Sequence, residues 1–164
     1  MGVVVLTVAV ALTVVGPAHA RQVAAQEVVG GWVGELPCVP TAIGAPSASL
    51  DVRFTCVSGT SWDGTWTGHT VLVATGTFNA ASGDADATID RTFVGFVTAD
   101  RATGTMHLVG TMHIDGASNT ESIRERIVGG TAAFAGSTGR IVVEGISVAG
   151  VVGHGGYHGT WRRP

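Results

Sequence analysis

The chain has no lysine: all nine of its basic side chains are arginines. Charged residues make up only 13% of its 164 residues, well below the roughly 25% of average soluble chains. The net charge is −3 with histidine neutral. A weakly acidic chain is poorly suited to holding a phosphate backbone, so no nucleic-acid partner is expected. Coding bias is the favoured account of the all-arginine usage; selection for bidentate anion pairing would require an arginine cluster, which sequence alone does not establish. Cysteine is scarce too. Cys38 and Cys56 are the only two, which excludes a zinc site built from cysteine alone, and neither belongs to a C-x-x-C redox motif. No G-x-S-x-G elbow, phosphate-binding loop or dinucleotide-binding glycine turn is present. Gly136-Ser137-Thr138-Gly139 only imitates the elbow. No cofactor, metal or catalytic residue is therefore assigned, and the balance leans away from an enzyme.

Long hydrophobic runs are also missing. The longest, Val3 to Val15, is interrupted only by Thr7 and Thr13. At about thirteen residues it is too short for a bilayer helix, which needs roughly 20. Gly16-Pro17 follows, and then Ala18-His19-Ala20, the small-x-small pattern of a signal peptidase site. Residues 1–20 thus read as a cleavable signal peptide, although no Lys or Arg precedes the apolar run. The expected product is secreted, with no stable membrane insertion after cleavage. In an oxidising compartment Cys38 and Cys56 are expected to form a disulfide. Closing a loop of about 18 residues would stabilise the fold by roughly 3 kcal/mol.

Glycine is abundant, at 25 residues, and Thr, Val and Ala are plentiful, a mix that suits strands joined by tight turns. Residues 21–48 divide into an N-terminal stretch that is either frayed or a first strand near Val28–Leu36, and a loop carrying Pro37, Pro40 and Pro46. The β domain is expected over residues 49–164. Leu50, Val52, Phe54 and Cys56 alternate with polar residues, as a half-buried strand requires. Trp62-Asp63-Gly64-Thr65-Trp66 holds a type I′ hairpin signal at Asp63-Gly64, though one continuous strand with both tryptophans on one face also fits. Further strands are expected at 70–78, 88–98, 105–115, 120–128, 140–148 and 157–162. No convincing helical apolar period appears after Leu50. Seven or more short strands at this spacing mean a sandwich or barrel.

The segment Val128 to Gly139 reads V-G-G-T-x-x-F-x-G-x-x-G and joins two strands. It resembles the connection in the allene oxide cyclase-like barrels, the group that also holds the dirigent proteins, and the likeness extends over about residues 70–164. The resemblance implies a single antiparallel barrel of about eight strands, with a pocket at one mouth, often forming homo-oligomers. Phe134 is the large apolar residue in the motif able to plug a barrel end. None of the family's catalytic residues can be placed on this chain.

Charges on apolar faces are the remaining candidates. Arg91 shares a strand face with Ile89 and Phe93, and Glu121 and Glu125 share one with Ile123 and Ile127. Were those faces internal, Arg91 would need a carboxylate partner or a polar pocket. The reading favoured by sequence turns Arg124 and Arg126 inward and leaves the glutamates in solvent. Arg91, Glu121, Glu125 and Phe134 are thus the ligand-pocket candidates. Among the histidines, His107 and His113 lie about 20 Å apart on one strand. His154 and His158 could meet only if Gly155-Gly156 turned. Three functions follow: a barrel binding a small apolar molecule, a cyclase or isomerase acting through the shape of its pocket, or a structural module with a filled interior.

Overall fold

The computed structural model describes residues 24–39, 41–43, 51–148 and 151–164; the expected signal peptide at 1–20 lies outside them. The strands in chain order are β1 (Gln26–Leu36), β2 (Thr41–Ile43), β3 (Asp51–Gly64), β4 (Trp66–Asn79), β5 (Ala85–Val97), β6 (Thr103–Asp115), β7 (Thr120–Gly130), β8 (Thr138–Val148) and β9 (Val151–Arg162). A single 3₁₀ turn, Ala132–Phe134, precedes β8. All pairings are antiparallel, and β1 pairs with both β9 and β3, so eight strands close into a barrel. The short β2 lies outside that ring, on the edge of β3. Closure leaves the ring without free edges.

The first strand belongs to the barrel wall. The barrel therefore begins at Gln26 rather than near residue 49, because β1 is the piece that joins the two ends of the sheet. The last strand likewise starts earlier than the β-branched pattern suggests. Gly155 and Gly156 sit within β9 and pair with Gly145 and Glu144. They make no turn, so His154 and His158 stay in an extended strand with both residues facing out.

The hairpin at Asp63-Gly64 forms, but wider than two residues. Pairing between β3 and β4 stops at Trp62 and Gly68. Beyond that, the turn is stitched to β1 instead. Asp63 Oδ1 accepts from the Gly31 amide at 3.1 Å, and Thr65 exchanges hydrogen bonds with Val29 through both its amide and its hydroxyl. Gly64 supplies the positive φ, +112°, that this bend demands. Splaying the two strands lets Trp62 and Trp66 both enter the barrel, where each is buried.

Alternation decides what fills the interior. Phe54 and Cys56 from β3, Leu72 and Ala74 from β4, Ile89 and Phe93 from β5, Met106, Leu108 and Met112 from β6, and Ile141 and Val143 from β8 all point inward. On β7 the inward residues are Ile123, Glu125 and Ile127, while Arg124 and Arg126 are exposed. This reverses the arginine-inward reading. Two isoleucines must be buried on that face, and the period of two carries Glu121 and Glu125 in with them.

One end of the barrel is solid. Trp62, Trp66, Phe93, Phe134, Tyr157 and Trp161 meet there with ring centres 4.5 to 6.4 Å apart. The V-G-G-T segment carries the 3₁₀ turn back over this end, held by the Thr131 amide on the Thr105 carbonyl, and drops Phe134 in as a plug. Tyr157 is tied into the cluster through its hydroxyl, and burial pushes its pKa up to about 12.

Candidate functional site

The opposite end is hollow. A chamber of about 210 Å³ lies beneath the loops at 80–84 and 116–119 and the segment after β1. An engineered cavity of about 150 Å³ holds benzene, so this space suits a slightly larger molecule. Its walls are mainly apolar: Trp32, Phe54, Leu72, Met112, Ile114 and Val143. The indole of Trp32 lies over Gly145 and Gly155, where a Cβ on either glycine would collide with the ring, and its Nε1 donates to the Glu144 carbonyl at 3.2 Å. Cys38 and Cys56 form a disulfide, which fastens the segment carrying Leu36, Pro37 and Cys38 against the chamber rim. The rim turns on the far side are pinned by short acceptors: Asn79 Oδ1 takes the amides of Ala81 and Ser82, and Asp84 Oδ1 takes that of Gly116.

The chamber floor is charged. Arg91 lines it, with Nε 2.9 Å from Glu125 Oε1, and the two side chains are only 2% and 0% exposed. The Arg91 guanidinium also lies 5.1 Å from the Trp62 ring centre, a cation–π contact in a dry setting. Trp62 in turn donates through Nε1 to Thr60 Oγ1 at 3.0 Å, and Thr60 bonds Thr70 at 2.6 Å. Two neighbouring threonines thus hold the indole in the plane that Arg91 covers.

Glu121 stands higher in the same wall. It lines the chamber and shares a hydrogen bond with the Ser147 side chain. Burial pushes the Glu121 carboxyl above its ordinary value, with Ser147 and Arg91 pulling weakly the other way. Burial also raises Glu125, against the pull of Arg91. Arginine does not give up its proton, so one carboxylate must remain ionised beside it. The direct bond makes that carboxylate Glu125. The second carboxyl, Glu121, has no such direct bond to a cation and faces the cavity.

The four pocket candidates therefore separate. Arg91 and Glu121 reach the chamber. Glu125 lies just below it as the partner of Arg91, with its Oε2 lacking a hydrogen-bond partner among the described residues. Phe134 is not on the chamber at all: it plugs the solid end, because the 3₁₀ turn folds over the opposite mouth. Missed by sequence reading were Trp32, Leu72, Met112 and Val143. Their inward parity was readable, but parity does not say which level of a barrel a residue occupies.

The histidines take another role. On the outer wall His107 and His113 of β6 pair with Asp90 and Asp86 of neighbouring β5, and His69 of β4 reaches over β3 to Glu35 of β1, at 2.7 to 2.9 Å. No group of three metal-ligating side chains forms among the described residues.

The fold and chamber define a class: a closed antiparallel barrel with eight strands in its wall, plugged at one end and hollow at the other. Comparisons with protein-family models, with curated protein sequences and with solved structures return no match.

Proposed function

We propose that this protein is a secreted barrel that binds one small, mainly apolar molecule in its hollow end. The observation that carries the reading is the chamber itself, walled by Trp32, Phe54, Leu72, Met112 and Val143 and braced at its rim by a disulfide. The disulfide supports an oxidising compartment. Charges on the outer wall, including Asp86, Asp90, Arg124 and Arg126, interrupt the apolar band that a lipid-facing barrel needs. Kinship with the allene oxide cyclase-like barrels belongs to the same proposal, supported by the closed wall and by the plug that the V-G-G-T segment forms. A homo-oligomer is supported by exposed Val29, Val33, Val57, Val71 and Val73 on the wall.

Titration calorimetry with adamantylmethanol, a rigid compact molecule of roughly ten carbons, tests the binding reading. One-to-one binding that quenches tryptophan emission and is abolished by Leu72→Trp, which fills the chamber, is the expected result. Binding that survives this substitution places the ligand elsewhere and overturns the proposal.

A second reading, a cyclase or isomerase, is favoured by one observation. Glu121 is a carboxyl held against apolar walls beside a buried arginine, the setting of a general acid. Recovery of bound natural ligand chemically unchanged after prolonged incubation would exclude it.

A further inference from the structure

The ionisable groups facing the chamber do not balance. Arg91 contributes one positive charge, and Glu125 neutralises it through the 2.9 Å bond. Glu121 is then a carboxyl in excess. The inner residues beside it are Ile114 on β6, Gly145 and Ser147 on β8, and Ile123 on β7. Arg91 on β5 and Glu125 on its own strand are the charged groups within its reach, and those two are paired with one another through Arg91 Nε and Glu125 Oε1. No second cation faces the cavity from any strand among the described residues.

Charge buried in a poorly hydrated space is costly unless it is matched. An anionic ligand would add a second negative charge to a floor whose single positive charge is already paired. A neutral ligand would leave the floor as it is, with the Glu121 carboxyl unmatched by any cation. A cationic ligand would complete two ion pairs, Arg91 with Glu125 and the ligand with Glu121, and leave the site neutral. The walls limit the rest of that molecule to a compact hydrocarbon. We infer that the chamber selects a small apolar amine, with its ammonium group against Glu121 and its hydrocarbon body among Trp32, Leu72, Met112 and Val143. This rests on the reading of the chamber as a ligand site and adds the chemical class of the ligand. Where Glu121 holds a proton before binding, the carboxyl releases it to solvent as the ammonium ion enters, and no other bond changes.

The experiment compares three molecules of one shape by calorimetry near neutral pH: adamantylmethylamine, adamantylmethanol and adamantanecarboxylate. The amine is expected to bind at least about tenfold more tightly than the alcohol, and the carboxylate most weakly. Glu121→Gln should bring the affinity for the amine down to that for the alcohol measured on the same variant. In the unaltered protein, the advantage of the amine over the alcohol should be lost as the pH is lowered until Glu121 is protonated, while alcohol binding changes little. That second measurement stands even if the variant does not fold. Equal affinity for amine and alcohol, or preference for the carboxylate, overturns the inference and leaves the apolar-binding reading intact. If none of the three binds, the binding reading fails as well.

Discussion

The hydroxyl of Tyr157 accepts a hydrogen bond from the Trp66 amide at 3.0 Å and donates one to the Trp66 carbonyl at 3.2 Å. Pairing of β4 with β3 has already ended at Gly68, so on that side the Trp66 backbone depends on a side chain from β9. Tyr157→Phe keeps the ring, stacked 5.7 Å from Trp66, but leaves a buried amide and carbonyl unpaired. The expected loss is about 1–3 kcal/mol, read from urea denaturation. A loss within experimental error would mean that the splayed turn is satisfied in another way.

Removing the plug should act on stability and spare the chamber. Phe134→Ala empties space among Trp66, Phe93 and Trp161, at an expected cost of about 3–5 kcal/mol. Because the chamber lies at the opposite end, affinity for a chamber ligand should change little in protein that remains folded. Calorimetry on the folded variant checks this, and a large affinity change would show that the two ends are coupled.

Arg91 and Glu125 should depend on each other. Arg91→Leu strands a carboxylate in the core, and such a break typically costs about 3–5 kcal/mol. Adding Glu125→Leu should recover much of that loss, since two apolar residues of suitable volume replace a pair that had to be desolvated. A double variant no more stable than the single one would show that the pair contributes more than mutual neutralisation.

Reduction of Cys38–Cys56 should lower stability by roughly 3 kcal/mol, from the loop of 18 residues that it closes. It should also weaken chamber binding, because Pro37 and Cys38 form part of the rim. Unfolding and ligand titrations with and without reductant measure both effects.

Stability should fall away on two sides of a pH optimum. Hydrogen bonds from the amides of Gly116, Ala102 and Ser118 hold Asp84, Asp100 and Asp115 below their ordinary value of 3.8. Their contribution is present above that value and is lost as pH falls through the folded-state values. Glu121 has the opposite sign. Burial raises it above 4.5, so the folded chain keeps a proton that the unfolded chain releases. The stability from that proton is complete below 4.5 and declines as pH rises through the folded value. Burial raises Glu125 as well, so Glu121→Gln should lessen the upper decline without abolishing it and leave the acid limb unchanged in a series of melting curves. An unaltered upper limb would mean that Glu121 is ionised in the folded state at ordinary pH.

Much of this architecture can be read from local pattern. Strand existence, the inward parity of residues such as Phe54, Ile89 and Met112, and the pairing of two cysteines all follow from period-two alternation and residue chemistry, which act over a few positions. The inward face of β7 was not legible in the same way. Ile123 and Ile127 argue for one face against Arg124 and Arg126 on the other, and two glutamates travel with the isoleucines. Only a partner from another strand can make that burial tolerable, and Arg91 lies 34 residues away from Glu125.

Three features were decided by tertiary structure. Joining β1 to both β3 and β9 turns a sheet into a closed ring, and this depends on contacts between chain segments that are remote in sequence. The level at which each inward side chain sits follows from register around that ring, which placed Phe134 in the plug and Glu121 in the chamber. The chamber itself exists because large aromatics gather at one end, while Ser58, Ala85, Gly83 and Gly116 surround the other. Volume is summed over strands that meet only after folding, so no single stretch of the chain records it.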